Sequence, residues 1–223
     1  MYNPTLRVHL IDTPGFDDTN LSDVQILQNI AHWLSMSFKH GIKLSGIIFL
    51  HRIIDVKMAG SARRNLLMFQ KLCGEKCYSA VVLATTMWSK VDEETGFARE
   101  EELINTDEWW GHMYKKGSKI FRHTGGATGS KESAMAIVKH ILSLHTTVTL
   151  DIQDEIVNHG QDIDDTAAAR ELNADIIRER KKHQAELEAM RQQMKEAMEE
   201  HNEELQRVFK EEHDLLQAKI DKS

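Results

Sequence analysis

LRVHLIDTPGFDDT, residues Leu6 to Thr19, decides how the rest of the chain is read. Val8, Leu10 and Ile11 form a short apolar run, the pattern of a buried strand. Asp12 stands at its carboxyl end, where open α/β sheets bind ligands. Thr13-Pro14-Gly15 is turn chemistry, because Pro presets φ and Gly frees it. Together these make the outline of an Asp-x-x-Gly nucleotide switch. In such a switch Asp12 orients a metal-bound water and the Gly15 amide senses a terminal phosphate. The plainer alternative is a strand-to-loop turn with a solvated Asp12. The apolar run before the turn and Phe16-Asp17-Asp18 after it favour the switch.

Outward from this stretch, helical and strand patterns alternate. Leu21 to His40 carries Val24, Ile26, Leu27, Ile30, Trp33, Leu34 and Phe38 at helical spacing, with Ser22 or Asp23 as cap and Gly41 as stop. Ile47 to Leu50 is a continuous apolar run, which suits a strand covered on both faces. Gly60-Ser61 opens a helix with Leu66, Leu67, Phe69 and Leu72 as its stripe, ending at Gly74. Ser79 to Thr85 reads as a third buried strand, and Thr86 to Asp92 as the loop at its carboxyl end. Glu93 to Lys116 is polar and helical, and its Trp109-Trp110 pair packs it onto the sheet, with ligand stacking as the alternative. Ser118 to His123 is a fourth strand, Thr124 to Lys131 a Gly-rich loop, and Glu132 to Leu144 a helix. Its apolar side holds Ala134, Ile137, Val138, Ile141 and Leu142. The alternation predicts a mostly parallel sheet with flanking helices and right-handed crossovers.

Composition narrows the functions. Of 223 residues, 41% are apolar, enough for a core, and 28% are charged. The net charge of −7 is unevenly spread: 20 acidic and 11 basic side chains fall in residues 151–223, against 15 and 17 before them. Without a clustered basic face, nucleic acid is not an expected partner. Without a long apolar span, no transmembrane segment is expected. Cys73 and Cys77 have no second pair to complete a metal site and read as buried free thiols, in a reducing intracellular, cytoplasmic setting. The 12 histidines are scattered and form no catalytic spacing.

From Leu150 the pattern changes. Asp164 to Ser223 is dominated by Glu, Lys, Arg, Gln, Ala, Leu and Met, which predicts a long helix. A seven-residue spacing links Leu187, Met194, His201, Val208 and Leu215. Companion positions begin with Met190 and Ala197, then fail at Glu204 and Glu211. Leu205, Phe209, Leu216 and Ile220 define a shifted stripe, so a stutter is expected near His201. A coiled coil over 164–223, by self-association or with a partner helix, is one reading. A single solvated helix held by Glu/Lys pairs is the other.

Several stretches together resemble a known group. DTPGFDDT, GIIFLHRIIDVKMAGSARRNLLMF, VVLATTMW, the block around Arg99 and Leu103, and RHTGG occur in order in predicted G-domain proteins best known from filamentous fungi. These are similar to the septin and immunity-associated (GIMAP-type) branch of the P-loop GTPases. The resemblance implies a P-loop-NTPase-like fold, with residues 1–149 as a partial G domain and 150–223 as a helical extension. It implies GTP or GDP with Mg²⁺ as ligand. Asp12, Thr13 and Gly15 fall on the metal and γ-phosphate switch, Asp12 holding Mg²⁺ through water. Phe16 stands where some small GTPases carry a water-orienting Gln, so hydrolysis is expected to be slow.

Guanine recognition in that group follows the strand ending at Thr85. By position, Thr86-Met87-Trp88-Ser89 replaces Thr/Asn-Lys-x-Asp. By letters, Ser89-Lys90-Val91-Asp92 supplies the Lys and the Asp three residues later. Asp92 is the preferred base reader, with Thr86 and Lys90 beside it; an ordinary helix-leading loop is the alternative. The largest departure is the phosphate loop. No G-x-x-x-x-G-K-S/T precedes Leu6, since the first glycine is Gly15. Gly125 to Lys131 has the wrong spacing to replace it and reads as the base-side loop. The family's first strand, expected between the Asp12 strand and the Ile47 strand, is missing with it. Those two strands then either pair directly or leave a gap. The sequence therefore suggests a guanine-nucleotide-binding protein in truncated or degenerate form with little or no GTPase activity. A truncated gene product is the plainer account and a pseudo-GTPase the second. The alternative function is a non-enzymatic interaction or scaffold protein working through its coiled coil.

Overall fold

The first regular element, in a computed structural model that describes residues 7–16, 21–56, 60–125, 129–199 and 203–221, is helix α1 (Asp23–Lys39). Ser22 starts it with a capping box. Its hydroxyl accepts from the Gln25 amide at 3.3 Å, and the Gln25 side chain accepts from the Ser22 amide at 3.0 Å. Gly41, at φ +75°, follows its end. Strand β1 (Ile47–Arg52), helix α2 (Ser61–Cys73), strand β2 (Val81–Thr86) and helix α3 (Glu93–Asn105) come next. A short helix α4 (His112–Lys115), strand β3 (Lys119–Arg122) and helix α5 (Gly129–Ser143) complete the alternation.

The three strands form one sheet in the order β1-β2-β3, all parallel. Ile47 pairs with Val81 and Arg52 with Thr86 across the first ladder; Val82 pairs with Lys119 and Thr85 with Arg122 across the second. Side chains alternate between faces. Val82 and Ala84 pack with Ile137 of α5, joined by Ile48, Phe121 and Ile141. On the other face Phe49 lies 4.7 Å from Phe69 of α2 and 5.6 Å from Trp110, centroid to centroid. Trp110 is fully buried, and its indole N–H donates to the Ser118 hydroxyl at 2.8 Å. The packing role expected of the tryptophan pair thus falls on Trp110.

Residues after 149 stay with this sheet. Helix α6 (Asp151–Gln153) packs against α1 and α2. The buried Gln153 amide donates to the Leu34 carbonyl at 3.0 Å and its oxygen accepts from the Leu150 amide at 2.9 Å. A Cβ on Gly74 would sit 2.1 Å from the Asp151 carboxyl group, so only glycine lets these segments meet. Compact unit one accordingly runs through Arg170, past the change of pattern at 150; unit two is Glu171–Ser223. Cys73 and Cys77 are buried free thiols, as expected.

Three expectations are corrected. Arg7 to Gly15 is not a strand: it has no regular structure, and Val8, Leu10 and Ile11 are 40, 71 and 53% exposed. A strand needs a neighbour to bond its backbone, and among the described residues none flanks this one. For the same reason β1 is an edge strand; Ile48 and Phe49 are covered on its two faces, as its apolar run suits, while Leu50 near its end is 68% exposed.

The helix expected from Glu93 to Lys116 breaks after Asn105. A wide turn over Asp107–Gly111 contains a non-helical Trp109, and a Cβ on Gly111 would lie 2.7 Å from the Thr106 carbonyl.

The long C-terminal helix is two helices, α7 (Ala167–Glu199) and α8 (Glu203–Asp221). Arg191 donates to the His213 ring at 3.1 Å. In one straight helix those residues would be about 33 Å apart. Helix α8 therefore runs back along α7. The expected stutter near His201 coincides with residues 200–202, outside the described residues.

Candidate functional site

In a parallel sheet every strand ends at the same edge, and this edge is where ligands bind in open α/β folds. Here it gathers His51-Arg52, Thr85-Thr86 and Arg122-His123. Met87 leaves β2 in the left-handed region (φ +65°), a sharp turn that costs a non-glycine residue about 1 kcal/mol or more. The turn brings Trp88 back over the strand end. Its indole N–H donates to the Thr85 hydroxyl at 3.0 Å and the Thr85 carbonyl at 3.2 Å. Gly96 on α3 makes room, since a Cβ there would lie 2.7 Å from the Trp88 ring.

Beneath Trp88 is a buried ion pair. Glu100 on α3 is 9% exposed, and its carboxylate accepts from Arg122 Nε at 2.8 Å and from a terminal nitrogen of the same guanidinium. The Thr85 hydroxyl lies 3.4 Å from the other Glu100 oxygen and 3.3 Å from the Phe121 carbonyl. The Arg122 guanidinium sits 4.4 Å over the Trp88 ring and 3.9 Å over the Phe97 ring. A buried carboxylate is tolerated only when paired and hydrogen-bonded. Two aromatic faces stabilise the cation further. The cluster locks the β2–α3 loop to the end of β3.

Beside it, at the end of β1, a shallow hollow is lined by His51, Asp55, Val56, Arg99, Glu102, Leu103 and Trp109. Arg99 donates to the Ile53 carbonyl at 3.0 Å, and Arg52 pairs with Asp55 at 3.0 Å. Burial holds the His51 ring below its ordinary pKa, against the opposing pull of Asp55.

The residues singled out from sequence fall into two groups. Thr86, Lys90 and Asp92 share the loop at the end of β2. Thr86 donates to the His51 carbonyl at 3.3 Å and ties the strand ends together. Lys90 closes a short turn and is exposed. Asp92 caps α3: Oδ1 accepts from the Thr95 amide at 2.8 Å, which also holds its carboxyl below the ordinary range. Asp12, Thr13 and Gly15 are exposed on the unpaired segment, and a Cβ on Gly15 would meet open space. No hydrogen bond or ion pair among the described residues joins them to the β2 loop. Asp17, Asp18 and residues 126–128 of the Gly-rich loop lie outside the described residues.

These residues do not fit a magnesium-bound triphosphate as they stand. The amides at the start of α3 are capped by Asp92 itself, and among the described residues none stands beside Asp12 as a second ligand. Among the described residues, no group of three or more His, Cys, Asp and Glu is placed to hold a metal. None of the described helices is long and apolar enough to cross a membrane.

The ion pair was not anticipated. Arg99 and RHTGG marked its two segments in the sequence, but the 22-residue separation of Glu100 and Arg122 matches no local periodicity. The chain matches no known protein family, no curated protein and no solved structure.

Proposed function

We propose that this chain is the base-side portion of a G-domain-type, guanine-nucleotide-binding protein and does not hydrolyse GTP by itself. The observation that carries this reading is the order of the sheet. Three parallel strands follow one another in sequence order, and the strand beside the open edge is β1. The resemblance puts the phosphate-loop strand at that edge. The loop Thr86 to Asp92 then stands where a guanine base would be read, with Asp92 as reader and Thr86 and Lys90 beside it. Phosphate affinity would have to come from a loop that these 223 residues do not contain. Most triphosphate affinity in such proteins comes from that loop and Mg²⁺.

Titration calorimetry with GTP and Mg²⁺ tests this, on the chain alone and on a version preceded by a strand and a phosphate loop. Weak or no binding by the chain and micromolar binding by the extended form is expected. Micromolar binding by the chain alone shows that the phosphate loop is dispensable. No binding by either form overturns the guanine-nucleotide reading.

A second reading, an interaction protein, is favoured by the separate unit Glu171–Ser223. Val208 and Leu215, one heptad apart on α8, are 55 and 66% exposed. Sedimentation of Val208→Lys/Leu215→Lys against the parent chain tests self-association through this face.

A further inference from the structure

The two tryptophans after α3 have separate places. The turn over Asp107–Gly111 is closed by the Gly111 amide, which donates to the Thr106 carbonyl at 3.0 Å, one residue wider than an α-helical turn. Turns of this kind recur at functional sites. Here the turn sends Trp110 into the core and leaves Trp109 in the wall of the hollow at the end of β1. That hollow takes no part in the nucleotide reading.

Four of its side chains keep unused hydrogen-bonding capacity. Among the described residues, the Glu102 carboxylate, the Trp109 indole N–H and the His51 ring make no hydrogen bond. Arg99 uses one guanidinium N–H on the Ile53 carbonyl, at 3.0 Å, and its other N–H groups have no acceptor among these residues. Asp55 is already neutralised by Arg52 at 3.0 Å. Burial holds the His51 ring below its ordinary pKa, so it is uncharged at neutral pH. The unpaired charges of the lining are thus those of Arg99 and Glu102. Both stand on α3, three residues apart, a spacing at which opposite charges commonly pair. The bond to the Ile53 carbonyl holds Arg99 toward the end of β1, and among the described residues no ion pair joins the two. A donor and an acceptor are therefore held apart on one wall, with Trp109, Val56 and Leu103 supplying apolar surface.

We propose that this hollow binds a small planar molecule, or one end of a larger one, through an uncharged primary carboxamide. The carbonyl oxygen accepts from Arg99, and the amide N–H donates to Glu102. A carboxylate would satisfy Arg99 but meet Glu102 as a like charge, and an amidinium would do the reverse. A group with an acceptor and a donor side by side answers both and leaves neither unpaired. The apolar wall suits the flat body that carries the amide. The hollow holds about 240 Å³ of open space, under the roughly 300–1,000 Å³ of drug-sized sites, so it takes a fragment rather than a whole nucleotide.

Three probes of one shape test this on the isotope-labelled full chain without nucleotide: benzamide, benzoate and benzamidine. The readout is the Trp109 indole N–H resonance, identified by its loss in Trp109→Phe. Benzamide is expected to shift it saturably, with a Kd of about 1–10 mM. Benzoate and benzamidine should bind at least about tenfold more weakly, the discrimination that one charge-assisted hydrogen bond provides. Glu102 is exposed and its carboxylate is bonded to nothing, so Glu102→Ala leaves the fold intact. That variant should bind benzamide about fivefold more weakly or worse. The absence of a saturable shift with benzamide at about 50 mM overturns the proposal. So does equal or tighter binding of either ion, or an unchanged benzamide affinity in Glu102→Ala.

Discussion

Val81-Val-Leu-Ala-Thr-Thr86 and Val8-His-Leu-Ile11 are similar stretches with opposite outcomes. Each is a short apolar run followed by polar turn residues. The first is the centre of the sheet, with Val81 to Thr85 all buried. The second is exposed along its length. The difference lies in the neighbours. Strand β2 has a ladder on each side and packed helices over its faces, whereas Arg7–Ile11 has no ladder. An apolar run becomes a strand only where other chain segments complete its hydrogen bonds, so strand formation is a property of the sheet rather than of the run.

The sharpest test of this contrast removes a side chain from the packed half. Trp110→Ala, which empties the contact with Phe49 and Phe69, is expected to cost about 3–5 kcal/mol in urea unfolding. A cost under about 1 kcal/mol would mean that the packed half is not held by this contact. Next in size is Arg122→Ala, which strands the buried Glu100 carboxylate. Removing one member of a buried pair costs roughly 3–5 kcal/mol. Because the Arg122 side chain is 34% exposed, about 2–3 kcal/mol is expected here. The double change Glu100→Gln/Arg122→Met should recover most of that loss, and failure to recover it would deny the pair its coupling. Ser22→Ala, which breaks the capping box, should cost about 1 kcal/mol. In the bare half, Leu10→Ala should change stability by no more than about 0.5 kcal/mol, because Leu10 is exposed. A larger loss would contradict the exposure of this segment.

The Asp92 cap gives a pH test of the same edge. Its folded pKa lies below the ordinary 3.8, so the unfolded state takes up the proton first as pH falls. The stabilisation is fully present above the unfolded value and is lost as pH falls through the folded one. The gap in urea midpoint between the parent and Asp92→Ala should therefore be constant from pH 7 to pH 5 and shrink below pH 4. A gap that widens on acidification would contradict the cap.

Much of the first unit was legible because its signals are local. Ser22 and Gly41 bracket α1, Gly74 ends α2, and the apolar runs at Ile47 and Val81 are strands within two residues of their expected bounds. What was not legible depends on partners distant in sequence. Gln153 bonds to Leu34, 119 residues away, and no composition change could announce that residues after 150 belong to the sheet unit. Glu100 and Arg122 meet across a helix and a strand. The reversal of α8 is signalled only by a shifted apolar stripe, which a stutter explains equally well. Of the candidate site, the loop Thr86 to Asp92 was placed correctly at a strand end, while the role of Trp88 in covering that end was missed.

The return of α8 along α7 gives the second unit a folding time of its own. The hairpin is closed by contacts close in sequence, and such topologies fold faster than sheets built from parallel crossovers. All four tryptophans, Trp33, Trp88, Trp109 and Trp110, precede residue 171. Intrinsic fluorescence therefore reports the sheet unit alone, whereas far-UV dichroism reports both. In stopped-flow refolding the dichroism signal should recover partly in an early phase that fluorescence does not register, and the remainder should follow the tryptophans.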